Sequence, residues 1–507
     1  MSSERKIFPL EELASLIASL KDEGKRVVHC HGVFDLLHPG HFKHFASAKK
    51  EGDVLVVTLT PDEYVNKGPG RPAFGTQLRA EQLAALADID YVAVNNWPTA
   101  VETIRLLQPS VYAKGPDYKD QSQDITGKIS EEQQAIIDVG GRLHITDDVS
   151  FSSSNLLNDH FEVFPGKTKE FLQEFRQKHS AEDVIAKLDD LQSMKVLIVG
   201  DTIIDEYHSC SAIGMASKST SINARFMGEE TYLGGVLAIA NQVAGLCDDI
   251  HLVSVLGSQD SKEEMIRSGL KQNIETEFFI RDDGPTTVKR RYIDPFRYQK
   301  MFEVTFMEDS PLPEDTADQL NAYLSKHIDD YDLVIVSDFG HGMITQSTID
   351  LLTKKAKYLA LNVQTNSSNI GYNPVTKFPK ADYACIDERE LRIAYHNRSG
   401  DADELADRVQ KDLSTKILTV TQGTHGSSTY VGASAIQTPV FCSEVIDTIG
   451  AGDAYFSITA PVAAAGMDPE IVGFLGNIAG AIAARIVGNK ESVDPVTLKK
   501  FVTTLLK

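Results

Sequence analysis

Short apolar runs alternate with helix-period segments along most of this chain, and that alternation leaves few folds open to it. In the N-terminal part, the runs at 27–28, 54–59, 91–94 and 111–113, with a short one near Leu143, read as strands. The segments 41–50, 76–87, 99–107 and 130–138 between them read as helices. Strands this short and uniformly apolar need cover on both faces, which predicts a parallel sheet flanked by helices. In such sheets ligands sit beyond the carboxyl ends of the strands. The alternation resumes at Lys195, with strands at 195–200, 333–336, 358–361, 383–385 and 416–420 and closing helices over 451–465, 468–487 and 495–506. Between them, 208–232 and 286–305 are strand-rich but alternate polar with apolar residues, which predicts a small projecting sheet.

Two stretches stand apart from the alternation. Residues 9–22 carry Leu10, Leu13, Leu16, Ile17 and Leu20 at helical spacing, an amphipathic helix that packs on a core or binds a partner. Residues 158–193 are charged and poor in strand formers; they read as two helices, 167–178 and 181–192, the second opened by a Ser180–Asp183 variant of the capping box. This predicts a first domain over 1–157, a helical linker over 158–193 and a second domain over 194–507. The formal net charge of -22 argues against a nucleic-acid binder, which needs a basic face. Five scattered cysteines with no CxxC pair read as reduced thiols of a cytosolic protein, not as a zinc site. The first ten residues lack the apolar core of a signal peptide, and no run approaches the ~18 apolar residues of a membrane span.

The chemistry concentrates at two helix starts. In the first, the strand at 27–28 leads into Gly32-Val33-Phe34-Asp35-Leu36-Leu37-His38-Pro39-Gly40-His41, at the mouth of a helix. A helix start offers unpaired N–H groups and a positive dipole end to a phosphate, and His38 and His41 add donors for charge that develops during reaction. Lys114-Gly115-Pro116-Asp117-Tyr118 follows another strand, and Phe151-Ser152-Ser153-Ser154-Asn155-Leu156-Leu157 sets hydroxyls before a helix. The three elements together supply imidazoles, a cation and hydroxyls around one polyphosphate. The decapeptide resembles the GxFDxxHxGH motif of the cytidylyltransferase-like nucleotidyltransferases, and 151–157 resembles their ISSTxLI element, over about residues 26–157. It is most similar to the adenylyltransferase half of the bifunctional ADP-heptose synthases, through Arg71-Pro72, Arg79 and the KGxDY element at 114–118. The resemblance implies a Rossmann-like fold and attack of a sugar-phosphate oxygen on the α-phosphorus of ATP or CTP, with Mg²⁺ on the triphosphate and release of pyrophosphate. His38 and His41 then carry catalysis, and Gly32, Phe34, Lys114, Arg79, Ser152, Ser153 and Ser154 bind nucleotide. Ser152 and Ser153 also fit plain helix caps. Arg71 and Arg79 also fit solvated charges, and His29, His31 and His44 read as structural or peripheral.

The second helix start is Asp447-Thr448-Ile449-Gly450-Ala451-Gly452-Asp453-Ala454. Its glycine-flanked N–H groups suit a phosphate, and Asp453 on the first turn suits a base that takes the proton of an attacking hydroxyl. From about 194 to 507 the chain resembles the PfkB/ribokinase sugar kinases, which implies a ribokinase-like α/β domain with a small projecting β-sheet lid. Gly200-Asp201, Asp205, Gly234-Gly235, Ser337-Asp338-Phe339-Gly340-His341-Gly342 and Thr421-Gln422-Gly423-Thr424-His425-Gly426 carry the likeness. The resemblance implies ATP and Mg²⁺, Asp453 as base and an anion hole at Gly450, Ala451 and Gly452. It implies nucleotide contacts at Thr421, Gly423, Gly426 and Asn477, sugar contacts at Asp201, Asp205, Gly234, Gly235 and Lys289, and an indirect Mg²⁺ contact at Glu390. Lys289, Arg290 and Arg291 form a basic cluster suited to a distal phosphate or to solvent. Three positions depart from the family: Ala238 replaces an asparagine, Asp387 stands for the asparagine of the Mg²⁺ segment, and Asn362-Val363-Gln364 replaces a DPK run. They imply a different sugar, with altered metal or nucleotide handling.

Together these readings imply a cytosolic bifunctional enzyme of nucleotide-sugar synthesis. One domain phosphorylates a sugar or a heptose-7-phosphate-like sugar phosphate, and the other joins the sugar 1-phosphate to a nucleotide, ATP favoured. The order of the domains is reversed relative to the ADP-heptose synthases. One alternative is a cytidylyltransferase making a CDP-polyol or CDP-sugar with its own kinase. Another is an active nucleotidyltransferase with a ligand-sensing or dimerising kinase-like domain. Expected partners are a sugar phosphate and an NTP, with neither nucleic acid nor membrane, and the family implies a homodimer through the lid.

Overall fold

The structure is a computed structural model; it describes residues 6–65, 68, 71–115, 128–146, 164–296, 299–442 and 445–507. Contacts divide the chain into two compact units, Met1–Pro165 with Lys499–Lys507, and Gly166–Leu498.

The first unit is a five-stranded parallel sheet. Strands β1 (Val27–Gly32), β2 (Val54–Leu59), β3 (Tyr91–Val94), β4 (Val111–Lys114) and β5 (Arg142–Ile145) lie in the order β3-β2-β1-β4-β5. The order reverses at β1, so the sheet opens a crevice at the carboxyl ends of β1 and β4. β2 is buried at all six positions, as a strand covered on both faces must be. The helix Leu10–Asp22 turns Leu10, Leu13 and Ile17 onto Val27, Val56 and Ala93, so its apolar stripe is covered by its own sheet.

The second unit carries a nine-stranded sheet and a four-stranded one. β6 (Lys195–Gly200) runs straight into β7 (Thr202–Met215), which pairs antiparallel with β8 (Ile222–Gly235). Next come β9 (Asp249–Gln259), β10 (Ile274–Pro285), β11 (Thr287–Asp294), β12 (Gln299–Phe306), β13 (Leu333–Asp338), β14 (Leu359–Val363), β15 (Tyr383–Asp387), β16 (Ile417–Thr421), β17 (Ser427–Val431) and β18 (Ser434–Thr438). The large sheet has the order β10-β9-β6-β13-β14-β15-β16-β17-β18, parallel as far as β16. The small sheet, β12-β11-β7-β8, is the projecting one expected from the polar alternation. β9 and β10 were not anticipated, although the run 250–256 is apolar almost throughout.

The two helices expected in a linker are present as Gly166–Lys178 and Ala181–Asp189, the second capped by Ser180 Oγ accepting from the Asp183 N–H. Both belong to the second unit. Phe175 is buried and stacks on Phe474 with ring centroids 4.3 Å apart, so the first of them is part of that unit's core. All four cysteines buried in the structure, and the half-buried Cys442, are free thiols. No helix of the described residues is long and apolar enough to cross a membrane.

Candidate functional site

In the first unit, β1 ends at Gly32 and the chain turns directly into the helix Pro39–Lys49. Phe34 takes a left-handed φ of 49° and folds its ring back over Gly32, where an added Cβ would lie 3.0 Å from the ring. That ring is buried, 5.2 Å from Phe45 and edge-on to His41 at 5.5 Å, so it is the backbone of Phe34 that is left for a ligand. His38 is the N-cap, and its Nδ1 accepts the Gly40 N–H at 3.2 Å. In the neutral ring the proton therefore sits on Nε2. Burial lowers the His38 pKa from its ordinary 6.5, which keeps the ring neutral and donating at pH 7. The His41 ring stacks on it, centroids 3.9 Å apart, and the two imidazoles share the first turn of the helix.

Lys114 closes β4, the neighbour of β1, and is buried in an ion pair with Glu132 at 2.8 Å. Tyr112 Oη also donates to Glu132, at 3.1 Å. The expected cation is thus at the strand end, paired with a carboxylate that a polyphosphate would have to displace. Arg79 is fully buried, and its guanidinium donates to Phe74 O (2.9 Å), Val33 O (2.5 Å), Asp62 Oδ1 (2.6 Å) and Thr76 Oγ1 (3.3 Å). These donors hold the Gly32–Phe34 turn in place, so in this structure Arg79 braces the site from inside. His29 and His31 share the Thr58 hydroxyl at 2.7 and 2.9 Å, and burial lowers both to about 3, consistent with a structural role. The expected contacts at Ser152, Ser153 and Ser154, and residues 116–118 of the KGxDY element, lie outside the described residues.

In the second unit, the end of β6, the start of β7 and the end of β8 bring Asp201, Asp205, Gly234 and Gly235 together. Asp201 Oδ2 accepts the N–H groups of Phe339 (2.8 Å) and His341 (3.4 Å). Asp205 pairs with Arg291 through Oδ1 and takes the Asn489 amide on Oδ2 at 3.2 Å. The chain crosses so close here that a Cβ at Gly234 would lie 2.4 Å from Asp205 Oδ2, which explains the di-glycine. Asp201 and Asp338 are both buried, and desolvation raises both carboxyls, with Lys377 beside Asp338 opposing the rise. Lys289 is mostly buried over the Phe339 ring at 5.5 Å; burial lowers its pKa, against the pull of Asp205.

Gly450, left-handed at φ 79°, opens the helix Ala451–Ala464. The Ala451 and Ala454 N–H groups bond to Thr448 O and Gly450 O. Among the described residues those of Gly452 and Asp453 have no backbone partner, and a Cβ on Gly452 would meet open space. Two N–H donors with room before them fit a phosphate oxygen. Asp453 is buried beside them; desolvation raises its carboxyl to about 6, against the hydrogen bond from Gln364. Thr421 ends β16, and Gly423 and Gly426, both with positive φ, form the turn into β17.

The amide hydrogens of Asn477 go to Ser427 Oγ (2.8 Å) and Gly473 O (2.9 Å), so it braces its own helix on β17. Both Glu390 oxygens accept backbone N–H groups, of Thr365 (2.8 Å) and Asp387 (2.9 Å), in a capping box that also uses Asp387. That donor set fits a water-mediated contact to Mg²⁺ and not direct ligation. Burial raises Glu390 to about 7. Reading the sequence missed Glu132, Asn489 and the contact of Gln364 with Asp453; of these only Gln364 carried a signal, as a departure from the family.

Residues 29–158 match the model of the cytidylyltransferase-like family, and residues 193–495 match that of the pfkB family carbohydrate kinases. Among curated proteins, the Bifunctional protein HldE of Desulfatibacillum aliphaticivorans is 36% identical over 159 residues, 31% of this chain and 31% of that protein. That of Geobacter sulfurreducens is 40% identical over 144 residues, 28% of each. The chain thus spans about three tenths of the length of the curated relatives it matches. Among solved structures, a crystal structure of phosphofructokinase-2 from Escherichia coli in complex with potassium superposes with a TM-score of 0.50 at 14% identity, over 61% of this chain and 99% of that one; the likeness is one of fold.

Proposed function

The chain belongs to the pfkB family of carbohydrate kinases, and on that premise we propose that it is a bifunctional enzyme of nucleotide-sugar synthesis. The observation that carries the kinase half is Asp453, buried beside the two N–H groups of Gly452 and Asp453 that have no backbone partner among the described residues. In this reading the γ-phosphate of ATP rests on that helix start, and Asp453 takes the proton of the attacking sugar hydroxyl. Asp201, Asp205 and Lys289 hold the sugar or sugar phosphate, a heptose 7-phosphate or a close relative. Bound Mg²⁺ would neutralise charge on the phosphates, and Glu390 would hold it indirectly, through water.

In the nucleotidyltransferase half, His38 and His41 donate to the α-phosphate as a sugar 1-phosphate oxygen attacks and pyrophosphate leaves. No covalent intermediate is needed; the residues position the reactants and stabilise charge. Gly32, the Phe34 backbone and Lys114 line the triphosphate, with Ser152, Ser153 and Ser154 as further donors. ATP is the favoured nucleotide. Cytoplasmic location and a homodimer through the small sheet, whose Ile213, Met215, Ile222 and Phe226 are exposed, belong to the same proposal.

A panel of sugar phosphates with ATP or CTP, read by product mass, tests it. We expect one phosphorylated product and one nucleotide sugar. Asp453→Ala should abolish only the first and His41→Ala only the second. Phosphorylation untouched by Asp453→Ala would refute the kinase site, and pyrophosphate release at the wild-type rate by His41→Ala would refute the nucleotidyltransferase site.

A further inference from the structure

Gln364 directly follows β14, and its side-chain amide stands between two acceptors. Nε2 donates to Asn362 Oδ1 at 2.7 Å and to Asp453 Oδ1 at 2.5 Å. Asn362 is buried and fixed in turn, its Nδ2 donating to Cys385 O at 3.0 Å. That bond decides which way round both amides stand. With Nδ2 on a carbonyl, Asn362 turns its oxygen to Gln364, and Gln364 must answer with its two hydrogens. The Gln364 backbone is held as well, its N–H on Asp338 O at 2.8 Å and its carbonyl accepting from Asn373 Nδ2 at 3.1 Å. Asp453 Oδ1 is thus pinned by a donor that has no other orientation. Among the described residues Asp453 Oδ2 carries no hydrogen bond.

We propose that Gln364 is a positioning residue of the phosphoryl-transfer site, which holds Asp453 by Oδ1 so that Oδ2 faces the attacking sugar hydroxyl. The inference rests on the reading of Asp453 as the base. In the step it serves, the hydroxyl oxygen forms the new bond to the γ-phosphorus, its proton passes to Asp453 Oδ2, and the bond from that phosphorus to the ADP oxygen breaks. Gln364 exchanges no proton. As a neutral donor it orients the carboxylate without placing a second charge beside the helix start.

The test uses the full-length protein, ATP, and heptose 7-phosphate or the sugar phosphate of the panel that the wild type phosphorylates best. Gln364→Leu should lower kcat about 10- to 100-fold, the size of loss that follows from a misplaced reacting group. KM for sugar and ATP should stay within about twofold, because the lost contact acts on the transition state. The near-isosteric Gln364→Glu should lose at least as much, since it presents an acceptor to a carboxylate, and it decides the matter if the leucine variant does not fold. Gln364→Lys, which keeps a donor, should recover kcat to within about tenfold of wild type. Wild-type kcat in both Gln364→Leu and Gln364→Glu, or a rise in KM alone, overturns the positioning role while Asp453→Ala is still dead. Unimpaired phosphorylation by Asp453→Ala, or none by the wild type, is failure of the underlying reading and takes the positioning role with it.

Discussion

Asp453 carries two consequences of one burial. Its carboxyl ordinarily titrates at 3.8 and is raised to about 6. A base must be unprotonated to act, so kcat/KM for sugar phosphorylation should fall tenfold per pH unit below about 6, read from a pH–rate profile. The same shift bears on stability. The folded state holds the proton more tightly than the unfolded one, so this contribution to stability is full below 3.8 and is lost as pH rises through about 6. Asp453→Asn should therefore unfold at a higher temperature than wild type at pH 8, while phosphorylation drops by about 10²–10⁴-fold. Arg79 makes the opposite case, a charge whose work is internal. Arg79→Met should destabilise the first unit by about 3 kcal/mol in denaturant titration, leaving the part-buried carbonyls of Val33 and Phe74 without this donor, yet move the KM for NTP less than twofold in the folded enzyme. The placing of His38, His41 and Asp453 at helix starts was legible in the sequence, because each lies in a contiguous motif. The internal hydrogen bonds of Arg79 and Asn477 were not, since only packing brings those donors to their acceptors.

Among the elements, helix starts and strand ends do the positioning. The Gly234-Gly235 end of β8 passes over Asp205, and Gly234→Ala would force its Cβ against Oδ2. That variant should lose sugar phosphorylation while keeping pyrophosphate release from NTP, assayed side by side. The helix Gly166–Lys178 was expected to be part of a linker, because the segment is charged and poor in strand formers. Its Phe175 and Leu172 are instead buried, and Phe175 stacks on Phe474 of the helix Pro469–Ala483. Phe175→Ala should cost the second unit about 3–5 kcal/mol in denaturant titration. The small sheet was legible because polar alternation marks strands with one wet face. β9 was not legible because a continuous apolar run does not by itself separate a buried strand from a buried helix, and β10 carries only the short apolar run Phe278–Ile280 among charged residues.

At the scale of the whole molecule, each unit has its own sheet and, in the proposed function, its own helix start for phosphate. The sequence by itself determined the α/β class of both, their order along the chain and the two motifs, because hydrophobic period and helix-terminus chemistry are local properties of a few consecutive residues. Only the tertiary structure decided which polar groups face a ligand and which are consumed inside. It spends Arg79 on the Gly32–Phe34 turn, sets Glu132 against Lys114, and brings Gln364 to Asp453 across 89 residues of chain. Such pairings follow from how strands and helices pack, and a hydrogen bond between residues so far apart leaves no periodic trace in the sequence.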